Sequence, residues 1–188
     1  YTTLFRSITI LIIMIDINSI RITENDPTRI VEGKVIYPQL LSPGIHKIPL
    51  ENLEQKLLIP FDEKRTRSYL CNRLRELIQE LESYNIEMII WLDGSLCSIK
   101  PHPNDIDIVL FLNEEQLAKI TENKYESLLN LLENRDLIRA RYGCDLFFEK
   151  MSDQKQIHYW RSLFSYNQLQ EVKGFIQLRV NAHEHKYS

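Results

Sequence analysis

Two short apolar runs, Glu87–Leu92 (EMIIWL) and Asp105–Leu112 (DIDIVLFL), set the strongest limit on what this chain can fold into. Runs of this length, apolar nearly throughout, suit strands buried on both faces, and the first stops at the turn-forming Asp93-Gly94-Ser95. Pro101, His102, Pro103 and Asn104 form the intervening loop. Ahead of both runs, Lys64–Tyr84 carries Leu70, Leu74, Leu77, Ile78 and Leu81 on one helical face, with Arg67, Arg73, Glu76, Glu80 and Glu82 mostly elsewhere. The spacing predicts an amphipathic helix, then a buried strand, a turn and a second strand.

The alternation continues downstream. Asn113 followed by Gln116 resembles a helix capping box and opens one or two helices reaching about Asn134. Arg139–Glu149 (RARYGCDLFFE) reads as a third strand, Ser152–Ser165 as a helix and Gly174–Val180 as a final strand. Upstream, Pro38, Pro43-Gly44 and Pro49 punctuate a loop, and Leu50–Leu58 reads as a short helix stopped before Pro60. Short β-like pieces at Ile20–Ile22 and Lys34–Tyr37, broken by Asn25-Asp26-Pro27 and Gly33, suggest a hairpin or an edge extension. No repeat or linker divides the chain.

A length of 188 residues, 44% hydrophobic and 26% charged, allows one sizeable core, hence one domain with a terminal addition. The net charge of -3 argues against a broad basic surface for duplex nucleic acid, although it leaves nucleic acid open as a substrate. Cys71, Cys97 and Cys144 are far apart and form no CxxC pair, so neither a disulfide framework nor a zinc knuckle is indicated, and a reducing, cytoplasmic setting is the simplest. The stretch Tyr1–Ser7 reads like a translated sequencing-adapter oligonucleotide, and Ile8–Ile15 is too short to span a bilayer and lacks a small-residue cleavage site. No membrane association is expected. These features divide the chain into an adapter-like or upstream segment (1–13, with Met14 suspected as the native start), a β-like extension (14–40), the main domain (41–180) and a tail (181–188).

The chemistry concentrates in Asp105-Ile106-Asp107. On a strand both carboxylates point to one face, and two like charges side by side cost stability unless a cation, a basic partner or solvent offsets them. With 26 acids in 188 residues, roughly three or four acid-x-acid triplets arise by chance, so the triplet needs its context. That context is Gly94-Ser95 after a buried strand, where glycine lets the backbone approach a phosphate and the serine hydroxyl and following N–H groups can donate to its oxygens. Asp145, in the next strand candidate, could complete a metal site from a neighbouring strand.

Gly94-Ser95, Asp105-Ile106-Asp107 and Asp145 together resemble the nucleotidyltransferase superfamily related to DNA polymerase beta: strand, Gly-Ser, loop, acid-hydrophobic-acid, then a later acid. The likeness is closer to a mostly bacterial branch of minimal nucleotidyltransferase-like proteins. Its matching stretches are Pro43-Gly44-Ile45-His46, Trp91–Ser95, Lys100-Pro101, Tyr142-Gly143 with Asp145, and Tyr159-Trp160-Arg161. Cys97 departs from the aromatic or aliphatic residue expected after Gly-Ser. The resemblance implies an α+β fold, a nucleotidyltransferase-like mixed β-sheet flanked by α-helices. It also implies that Asp105 and Asp107 hold two magnesium ions, with manganese as a substitute, and that Asp145 helps bind one of them. Gly94, Ser95, Lys100 and Arg161 become candidates for NTP contacts. The implied reaction moves a nucleoside monophosphate from an NTP to a hydroxyl of a protein, RNA or small molecule by two-metal chemistry.

Several residues have plainer readings. Tyr159-Trp160-Arg161 more often marks helix packing with one solvated Arg than a stacking pocket, and His183 with His185 reads as a tail rather than a metal pair. Cys97 and Cys144 read as buried small side chains. A non-catalytic or antitoxin-like module using the same fold to bind a partner protein or nucleotide is the competing function. The short chain leaves little room for an acceptor-binding domain, so a protein encoded nearby could serve as acceptor.

Overall fold

A computed structural model describes residues 29–31 and 34–181. The expectations for residues 1–28, Gly33, His183 and His185 lie outside the described residues. The N-terminal hairpin forms from Arg29–Val31 (β1) and Lys34–Ile36 (β2), paired antiparallel. Arg29 ties it to the rest of the chain through two bonds to Glu171, at 2.8 and 2.6 Å.

Gly44–Lys47 (β3) is a strand where sequence suggested loop, and the short helix Leu53–Leu57 (α1) follows one 3-10 turn. Arg65–Glu82 (α2) is the expected amphipathic helix, burying Leu70, Leu74, Leu77, Ile78 and Leu81. Full burial of such side chains stabilises by about 1.5–3 kcal/mol each. Arg67 departs from the expectation: placed by its charge away from the apolar face, it is wholly buried.

Met88–Asp93 (β4) and Ile106–Leu112 (β5) are the two apolar runs, paired antiparallel from Met88 opposite Leu112 to Asp93 opposite Asp107. Glu114–Leu117 (α3) is capped by the Asn113 side chain, but Gln116 reaches back to the Glu87 amide rather than closing a capping box on Asn113. Glu122–Glu133 (α4) and Arg135–Tyr142 (α5) follow. The strand expected from Arg139 therefore begins only at Cys144, as Cys144–Lys150 (β6). Asn134 caps α5 through the Leu137 amide, Ile138 and Tyr142 bury one side of it, and Gly143 ends it at φ 66°, a left-handed conformation open to glycine. Gln154–Phe164 (α6) and Gly174–Val180 (β7) complete the chain as expected.

The main sheet runs β3-β7-β4-β5-β6, with β3/β7 and β5/β6 parallel and β4 antiparallel to both its neighbours. Strand alternation sends Ile90, Leu92, Ile108, Leu110, Leu146 and Ile176 to one face, under α1, α2, α4 and α5. The opposite face carries Trp91, Val109, Phe111 and Phe175 against Trp160 and Phe164 of α6. The architecture is a mixed sheet flanked by helices on both faces. Among the described residues, no helix is long and apolar enough to cross a membrane.

Candidate active site

The face under α6 ends in charge. Asp93 keeps the parity of Trp91, Asp107 that of Val109, and Asp145 that of Phe147, so all three project to that face. Asp93 stands opposite Asp107, and Asp107 opposite Asp145, making a row of three carboxylates across β4, β5 and β6. Like charges directly opposite one another destabilise a sheet. Asp105 lies two residues before Asp107, immediately outside β5.

Cations answer most of this charge. Lys173, just ahead of β7, pairs with Asp93, and both side chains are over nine-tenths buried. On α5, Arg135 bonds Asp145 at 2.5 Å, and Arg139, one turn later, bonds Asp105 at 3.1 Å. Among the described residues no cation lies within ion-pair distance of Asp107. Burial pushes its carboxyl up to about 6, with Asp105, Asp93 and Asp145 adding to the effect and Lys173 opposing it. Burial also raises Asp93, against the pull of Lys173.

Gly94 explains how the turn comes so close. Its φ is 82°, and a Cβ there would stand 2.2 Å from Asp107 Oδ2, so any side chain would strike the carboxylate. Beyond it, Ser95 Oγ is buried without a hydrogen-bond partner among the described residues, as is Asp93 Oδ1. Orphaned buried polar atoms cost stability, and two of them fall at this one turn.

These groups open into a cleft of about 770 Å³. Asp93, Gly94, Ser95, Lys100, Asp105, Asp107 and Lys173 line its polar part, Phe147, Tyr159, Trp160 and Leu163 an apolar wall, and Lys34–Tyr37 a further side. Asp145 lines a separate recess of about 390 Å³ with Arg135 and Arg139. Of the residues singled out from sequence, Gly94, Ser95, Lys100, Asp105 and Asp107 thus share one cleft, and Asp145 joins them through the sheet register. Arg161 is exposed on α6 and is not among the cleft residues, whereas Trp160 packs on Phe147 and Phe164 and donates to Glu149. Trp160 therefore both packs in the core and lines the cleft beside Tyr159, and Arg161 stays exposed outside it.

Asp93, Lys173, Arg135 and Arg139 were missed by sequence reasoning. A signal existed for Asp93, since strand parity from Trp91 puts it on one face; the three cations had none. Cys71, Cys97 and Cys144 are buried, and burial raises each thiol, which suits the packing role expected of Cys97 and Cys144. Among the described residues no three His, Cys, Asp or Glu side chains converge as a ready-made metal site.

The pattern of a family of unknown function (DUF6932) matches residues 37–179. The chain belongs to this family. The DUF6932 match takes in the whole carboxylate row, Gly94-Ser95, Lys100 and Lys173, and leaves β1 and β2 outside. No curated protein and no solved structure matches the chain.

Proposed function

We propose that this chain is a metal-dependent nucleotidyltransferase that moves a nucleoside monophosphate from an NTP to a hydroxyl of a protein, RNA or small-molecule acceptor. The observation that carries the reading is the carboxylate row with its glycine: among the described residues Asp107, flanked by acids, has no ion-pair partner, and it lies against a turn whose residue 94 admits no side chain and whose Ser95 hydroxyl is buried and unpartnered. The donor set fits hard divalent cations, which take carboxylate oxygens and leave positions for water and phosphate. Asp105 and Asp107 would hold two magnesium ions, or manganese in their place, with Asp145 assisting once Arg135 and Arg139 release their carboxylates. Bound there, the ions would acidify the acceptor hydroxyl and offset charge on the departing pyrophosphate.

The chain's own groups would do the positioning. The Ser95 hydroxyl would donate to a phosphate oxygen, and Lys100 would supply positive charge from the same cleft. Lys173, anchored on Asp93, would hold the inner end of the row in place and balance its charge. The apolar wall at Tyr159 and Leu163 offers a surface suited to a nucleobase.

The test incubates the full chain with labelled ATP, CTP, GTP or UTP, magnesium and candidate acceptors, alongside Asp105→Asn and Asp107→Asn, with Mn²⁺ binding followed by electron paramagnetic resonance. Metal-dependent label transfer lost in both variants is the expected result. NTP binding without transfer would favour the non-catalytic module, a reading that draws support from Arg135 and Arg139 engaging the outer carboxylates. Absence of both metal and NTP binding would sink the site altogether.

A further inference from the structure

Arg67 is a buried guanidinium with no carboxylate partner among the described residues. It is 0% exposed and lies over the Phe61 ring, 3.5 Å from the ring centroid. Its Nη1 donates to Leu57 O at 3.3 Å and Leu96 O at 2.8 Å, and its Nη2 to Ser98 O at 2.5 Å and Lys100 O at 2.7 Å. Burying a full charge is costly unless its donors are met, and burial accordingly lowers this guanidinium to about 10. Here the two terminal nitrogens are met by four backbone carbonyls, while Nε is buried without a partner among the described residues, and three of the four acceptors alternate along one segment: residues 96, 98 and 100.

The intervening residues bond the other way. Cys97 O accepts from Leu40 N, and Ile99 N donates to Pro38 O, both at 3.0 Å. The segment is therefore held from two sides, by the 38–40 stretch on one and by a single side chain on the other. It connects Ser95, whose hydroxyl is buried and without a partner among the described residues, to Lys100 in the same cleft. Ser98 Oγ closes the curve by donating to Ser95 O and accepting from Lys100 N.

We infer that Arg67 is the positioning residue of the anion-binding segment: it fixes the course of residues 96–100 and thereby sets Ser95 and Lys100 for the triphosphate, without touching the ligand. The inference rests on the nucleotidyltransferase reading for the identity of that ligand, while the holding of the segment stands by itself. Lysine cannot replace this arginine, because one ammonium nitrogen cannot serve carbonyls met by two separate guanidinium nitrogens.

Two measurements on the full chain test it, with Arg67→Met and Arg67→Lys. First, amide hydrogen exchange without nucleotide: residues 96–100 are expected to exchange roughly tenfold faster or more in either variant while β4, β5 and β6 keep their protection. Unchanged exchange in the segment, or a parallel rise through the strands, would overturn the inference. Second, the dissociation constants of Mn²⁺ and of the magnesium complexes of the four NTPs: nucleotide binding weakens roughly tenfold or more while Mn²⁺ binding, which depends on β5, stays within about twofold. Equal losses of both would mark Arg67 as merely structural. Should Arg67→Met fail to fold, Arg67→Lys decides. A wild-type chain that binds none of the NTPs defeats the nucleotidyltransferase reading instead, and the exchange measurement still decides whether Arg67 holds the segment.

Discussion

Asp107 is unfavourable for the fold, and the sign of its pH dependence follows. A carboxylate whose folded-state pKa stands above its unfolded value binds its proton more tightly when folded. Its cost is absent below about 4, the unfolded pKa, grows as pH rises through the folded value of about 6, and is fully present above it. Asp107→Asn is expected to stabilise the chain by about 2 kcal/mol at pH 7, with little gain at pH 4. Urea unfolding at the two pH values checks this, and an Asn variant less stable at pH 7 would contradict it. The sequence singled out this residue by its parity with Asp105 on one strand and by the Gly94-Ser95 turn ahead of it, both local features. Arg67 and Lys173 were illegible for the opposite reason: one bonds backbone carbonyls, which carry no side-chain signature, and the other an acid 80 positions away.

At the scale of elements, α2 was legible by its helical period and β4 and β5 by their unbroken apolar runs, and α6 and β7 by local pattern. The junction of α5 and β6 was not. In Arg139-Ala-Arg-Tyr142 polar and apolar residues alternate as in a strand, and only the helical pair Ile138 and Tyr142, both buried, and the turn at Gly143 show otherwise. Gly143→Ala is expected to cost about 1–2 kcal/mol, since the backbone is left-handed and the new Cβ would lie 2.9 Å from Leu70 Cδ2; chemical denaturation measures it. The same helix presents Arg135 and Arg139 to the outer carboxylates. Arg139→Gln should therefore tighten Mn²⁺ binding by a few-fold, on the order of the coupling of a partly exposed ion pair. Arg141→Gln, whose partner is Glu80 on α2, should leave it unchanged. Equal effects from both variants would show a general charge effect rather than competition for Asp105.

For the molecule as a whole, helix and strand periods announced a helix-flanked sheet, but not the order of its strands or the placing of β3 beside β7, which depend on contacts remote in sequence. Ligand linkage gives a further expectation. A magnesium-NTP complex at about one hundred times its dissociation constant should stabilise the folded chain by about 2.7 kcal/mol, seen as a rise in Tm that magnesium or NTP alone does not match. A Tm indifferent to the combination would count against a composite site.

The aromatic layer beneath the carboxylate row also makes the chain its own probe. It has two tryptophans, and both belong to the cluster under α6: Trp91 two residues from Asp93, and Trp160 on the cleft wall. All indole emission from this chain consequently originates on one side of the sheet, so intrinsic fluorescence will register events in the cleft while remaining largely blind to the helices behind it.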